Sequence, residues 1–73
     1  MTAAELKVGD RAKVEQVDGT DAISCRLLEM GLVPGTELVW LGMAPMGDPL
    51  EFQVRGYRLS LRRSEAARVR IHS

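Results

Sequence analysis

The side chains able to do chemistry are few and scattered in this 73-residue chain. His72 is the single histidine and stands one residue from the end, where chains fray and side chains meet water. Cys25 is the single cysteine. Arg26 stands beside it, but one thiol offers no disulfide, no Cys-x-x-Cys pair and no zinc set. The seven glycines stand singly and none opens a helix, so there is no phosphate-cradling loop. A transition-metal ion asks for imidazoles, thiolates or carboxylates gathered in one place. Here the carboxylates are dispersed around turns. These residues predict no catalysis, no cofactor and no preformed metal site, with inert roles for Cys25 and His72.

Charge is the other chemical resource. The net charge is zero, but residues 1–49 hold four basic and eight acidic groups, and residues 50–73 hold six arginines and two glutamates. Such a split fits either a binding face or two halves that attract each other. By strand alternation Arg55, Arg58 and Arg62 point outward, and so do Arg68 and Arg70, which predicts a basic outer face. Barrels that grip single-stranded nucleic acid add stacking aromatics to such a face. Phe52 and Tyr57 fall on the inward set, so only weak, salt-sensitive contact with nucleic acid is expected.

The elements that position these groups follow from hydrophobic period. "RAKVEQV" alternates and reads as a strand. Thr20 or Asp21 caps a helix of roughly residues 22–30, with Ile23, Leu27 and Met30 as its buried stripe and Gly31 as its left-handed end. Leu28 lies off that stripe. "TELVWL" is a strand with apolar residues on both faces, followed by a Gly- and Pro-rich loop over 42–49. "LEFQV" and "YRLSLRR" form a hairpin around Arg55-Gly56, with Leu50, Phe52, Val54, Tyr57, Leu59 and Leu61 inward. Ser64 caps one turn through "EAA", and "RVRI" is a last strand with Val69 and Ile71 inward. The fold predicted is a single mainly β domain over 1–73. It has about five short strands and one short helix after the first, curled into a small closed or half-closed barrel that protects its edges. No apolar run is long enough to span a bilayer and no signal peptide is expected, so with the lone cysteine a reducing, cytoplasmic setting fits.

Three stretches carry a resemblance: "ELKVGDRAKVEQV", "RLLEMGLVPGTEL" and "APMGDPLEFQVRGYRLSLRRSEA". Together they resemble the FeoA family of small ferrous iron transport proteins, from about Glu5 to Ile71. The resemblance implies an SH3-like barrel in the cytosol that accompanies and regulates FeoB, a membrane transporter with a GTP-binding domain. Val39, Gly42 and Met43 stand where relatives often carry polar or basic residues, leaving that strand's outer edge more apolar. Similar domains are fused to iron-dependent repressors, which makes a transition-metal-binding sensor or chaperone the alternative reading.

The connection Gly31–Gly35 carries apolar Leu32 and Val33, where loops are usually polar. With a partner implied, Leu28, Met30, Gly31, Leu32, Pro34 and Gly35 are expected to form one apolar docking patch. Arg55, Arg58 and Arg62 would steer it toward an acidic surface.

Overall fold

The computed structural model describes residues 1–72. After a 3-10 turn at Ala3–Glu5 come strand β1 (Arg11–Val17), helix α1 (Ala22–Glu29) and strands β2 (Glu37–Met43), β3 (Leu50–Val54) and β4 (Tyr57–Leu61). A one-turn helix α2 (Arg63–Ala66) then leads to β5 (Val69–His72). The strands form one antiparallel sheet in the order β4-β3-β2-β1-β5. Register shifts between Val14 and Gln16 and between Trp40 and Gly42 mark bulges, which bend a strand and raise its twist. They curl the sheet around its core. It does not close: β4 and β5 remain its two ends.

The alternation read from the sequence builds that core. Ala12, Val14, Leu38, Trp40, Leu50, Phe52, Val54, Leu59, Leu61, Val69 and Ile71 are all buried. Arg55 and Gly56, both at positive φ, supply the tight β3–β4 turn, so Val54 pairs with Tyr57 across a two-residue connection. The N-terminus runs along the outside of β5, where Thr2 bridges Arg70 and the Ile71 amide donates to the Met1 carbonyl.

Two inward assignments and one cap need correction. Ile23 is exposed, because α1 buries Ser24 and Leu27 instead. Asp21 is the cap: its carboxylate accepts the Ser24 amide at 3.1 Å, and the Ser24 hydroxyl reaches the Asp18 carbonyl at 2.9 Å. Tyr57 is 43% exposed, because it begins its strand beyond the end of the core. Ser64 is not a cap; α2 starts one residue earlier, and the Glu65 carboxylate accepts the Arg62 amide at 2.9 Å.

Among the described residues no helix is long and apolar enough to cross a membrane.

Candidate partner-docking face

The end of α1 sets the geometry of the face. Gly31 takes φ +101°, a conformation that side chains resist, and its amide donates to the Leu28 carbonyl at 3.0 Å. The Leu32 amide donates to the Leu27 carbonyl at 3.3 Å. These two bonds are the Schellman pattern, in which the residue after the glycine packs against the last inward residue of the helix. Leu27 and Leu32 are accordingly both 0% exposed.

This overturns the expected exposure of Leu32, which is a core residue that seals the helix end. The signal was present in the sequence: an apolar residue directly after a helix-ending glycine, five positions past another on the buried face.

The carbonyls left over at the helix end are taken up by side chains. The Tyr57 hydroxyl donates to the Met30 carbonyl. Thr36 Oγ1 donates to the Gly31 carbonyl at 3.1 Å and accepts from Arg55 Nη2 at 3.1 Å. The β3–β4 turn is thereby tied to the α1–β2 connection. Within that connection Val33–Thr36 is a tight turn, with Pro34 second and Gly35 third at φ +91°, closed by the Thr36 amide on the Val33 carbonyl at 3.1 Å. The Gly35 amide and the Thr36 carbonyl bond to Val14 at 2.8 Å each, which stitches the turn onto β1.

Leu28 is 41% exposed on the last turn of α1. Pro34 and Gly35 are exposed, while Met30, Gly31 and Val33 are half-buried. Tyr57, which alternation had assigned to the interior, is an exposed aromatic beside the helix end. The face therefore presents Leu28, Met30, Tyr57 and the Pro34-Gly35 corner on a rigid, hydrogen-bonded frame, without Leu32.

The arginines do not form a single patch. Arg55 is held at the hairpin turn and Arg62 follows the opposite end of β4, with Arg58 between them. Arg68 and Arg70 leave the basic face altogether. Arg68 Nη1 lies 2.6 Å from Asp21 and Arg70 Nε 3.0 Å from Asp18. The charge split is thus partly the attraction of two halves. Its mark is on the acids: the Arg70 hydrogen bond, and then that of Gln16, hold Asp18 below its ordinary value of 3.8. Arg68, followed by the Ser24 amide and hydroxyl, does the same for Asp21 more strongly.

Beside the face runs an open groove of about 810 Å³ between α1 and the end of the β3–β4 hairpin, lined by Ile23, Arg26, Asp48, Pro49, Ser60, Arg62, Ser64 and Glu65. Arg26 pairs there with the nearly buried Glu65.

For metal chemistry the arrangement is poor. Among the described residues no three His, Cys, Asp or Glu side chains gather. His72 lies in a shallow pocket with Arg11, Lys13 and Glu37, where two cations compete with any metal ion. Cys25 is exposed on α1. Trp40 and Phe52 are buried, so they offer no stacking platform to bases.

Comparison with known proteins gives one consistent result. The FeoA domain family matches residues 1–73. The chain is 37% identical over 71 residues to a fusion of Fe(2+) transport protein A with the Fe(2+) transporter FeoB from Porphyromonas gingivalis. The match covers 97% of this chain but only 8% of that protein's length. The solution structure of FeoA from Chlorobium tepidum superposes with a TM-score of 0.90 at 44% identity, over 99% of this chain and 69% of that one. FeoA from Stenotrophomonas maltophilia, solved as a zinc complex and described as a prokaryotic SH3 domain protein, superposes with a TM-score of 0.87 at 42% identity, over 99% and 89%.

Proposed function

Because this chain belongs to the FeoA domain family, small SH3-like accessory proteins linked to ferrous iron transport rather than enzymes, we propose that it regulates a FeoB-type transporter by docking on its cytosolic part. One observation carries this reading. In the P. gingivalis protein a segment similar to 97% of this chain is covalently joined to the transporter, so the two work within one molecule there. Association of such a segment with the transporter calls for a surface on which the two can meet.

The face around Leu28, Met30, Gly31, Tyr57 and the Pro34-Gly35 corner supplies one. It is apolar, partly exposed and rimmed by polar groups, as interaction patches on small proteins are. Its backbone is fixed by the Schellman end, the Val33–Thr36 turn and the Tyr57 and Thr36 hydrogen bonds, so little freedom is lost on docking. Arg55, Arg58 and Arg62 contribute mainly to the rate of encounter with an acidic surface. The chain acts in the cytoplasm and reaches the membrane only through its partner.

The test is co-purification of the tag-free chain with the cytosolic part of a FeoB-type transporter. Retention that survives washing at about 150 mM salt, where exposed charges more than roughly 8 Å apart are screened, is the expected result. Failure to associate at any salt concentration would remove the reading.

A further inference from the structure

We propose that the open edge of β4, with the groove that runs from it to α1, takes up an extended acidic segment of a partner protein as an added strand. The proposal rests on the reading of this chain as a docking module only in making the occupant a protein.

The edge is defined by the hairpin. A two-residue turn makes the closing pair, Val54 and Tyr57, a hydrogen-bonded one, and such pairs alternate along an antiparallel ladder. Leu59 against Phe52 and Leu61 against Leu50 are then bonded pairs as well. The main-chain groups of Arg58 and Ser60 consequently point away from β3. Neither residue has a main-chain partner elsewhere among the described residues. The other end of the sheet is treated differently: Met1 and Thr2 pair along β5 and cover it. The chain thus masks one edge of its sheet and leaves the other open. An open edge is a template for another strand, and strand addition is a recurring mode of peptide recognition.

The groove says what kind of strand. Ile23 and Pro49 give it apolar contact, and Ser60 and Arg62 bring it to the edge. Its own acids are engaged. Asp48 accepts the Arg63 amide at 2.8 Å, and Glu65 accepts the Arg62 amide and pairs with Arg26. Arg58 and Arg62 are exposed, on the same side of the chain, and neither forms an ion pair among the described residues. Glu51, exposed opposite Ser60, is the one acid between them. A strand with carboxylates at alternate positions meets these cations. A second copy of this chain added edge to edge in the register centred on Ser60 would set Arg58 of each copy against Arg62 of the other, and like charges opposed across strands are destabilising. The edge therefore favours an acidic strand over a second copy in that register.

The probe is a blocked hexapeptide alternating Glu and Val, with a Lys-Val counterpart as control, titrated into the isotope-labelled chain at low salt. The Glu-Val peptide should shift the amide resonances of Arg58 and Ser60 and slow their exchange by about tenfold or more at saturation. The effect should weaken between about 50 and 200 mM salt. Equal binding of the Lys-Val peptide, or shifts confined to other residues, would overturn the proposal. Ser60→Pro removes an amide that faces away from β3, so it spares the ladder and should abolish the peptide effect. Arg62→Glu should abolish it independently, which keeps the test intact if the proline variant does not fold. Two outcomes separate this proposal from transporter docking. Transporter binding that leaves the Arg58 and Ser60 amides exchanging freely sinks the edge and spares the docking. Peptide uptake without transporter binding does the reverse.

Discussion

The hydroxyl of Tyr57 donates to the main-chain carbonyl of Met30, tying the first residue of β4 to the last turn of α1. The bond also fixes the position of an exposed aromatic ring beside Leu28.

Tyr57→Phe should keep the ring and lose the tie. A typical hydrogen bond contributes about 0.5–1.5 kcal/mol net. With Tyr57 43% exposed, water can satisfy the freed carbonyl, so the loss should fall at the lower end of that range. Urea denaturation checks this, and a more mobile C-terminus of α1 in amide exchange should accompany it.

Gly31→Ala should cost more. The position has φ +101°, and an added Cβ would meet the Tyr57 hydroxyl at 3.0 Å. The left-handed conformation alone costs about 1–2 kcal/mol for a residue with a Cβ. The crowding adds to this, because the hydroxyl is held by Met30 and cannot swing away without breaking its bond. A lower midpoint in the same denaturation experiment is expected, larger in shift than that of Tyr57→Phe.

Leu32→Ala tests the Schellman end. Leu32 is 0% exposed, so its truncation should destabilise by about 2–5 kcal/mol, the range for a buried leucine. For a domain this small that is much of the total stability. A loss below about 0.5 kcal/mol, typical of surface sites, would mean that Leu32 is not core.

Asp21→Asn separates cap from charge. Asparagine still accepts at a helix start, but it loses the ion pair with Arg68. Asp21 has its pKa lowered by that hydrogen bond, so its contribution is full above the ordinary value of 3.8 and is lost as pH falls through the lower folded value. The variant should melt below the native chain at neutral pH, and the gap should close as pH drops below that ordinary value. A gap that persists unchanged at lower pH would assign the loss to capping.

How far the sequence could be read follows from which interactions decide each residue. The strands were legible because period-two burial is a local pattern, and Leu50, Phe52, Val54, Leu59 and Leu61 obey it. The helix start was narrowed to two residues and its end located, since Asp21 and Gly31 act through their own backbone. Ile23 was misplaced because Ser24 satisfies the Asp18 carbonyl from inside, a contact across six positions that sets which side of the helix faces in and that hydrophobicity does not register. Leu32 departs from the rule that loops are solvated because its amide continues the hydrogen bonding of the helix end. The pairing of Arg68 and Arg70 with Asp21 and Asp18 joins residues about fifty positions apart, visible beforehand only as a charge imbalance. Leu28, Pro34 and Gly35 are exposed, as a surface role requires, whereas Tyr57 beside them was expected inside and is exposed as well.

The central claim is that the face carrying Leu28 docks on the transporter. The most direct measurement is the affinity of the Leu28→Lys variant for the cytosolic part of a FeoB-type transporter, taken together with its unfolding free energy. Lysine suits a helix C-terminus, and Leu28 is 41% exposed, so stability should stay within about 0.5 kcal/mol. Affinity should fall at least about tenfold, the equivalent of 1.4 kcal/mol. Undiminished binding by a variant of unchanged stability would contradict the claim and move the docking surface away from the end of α1.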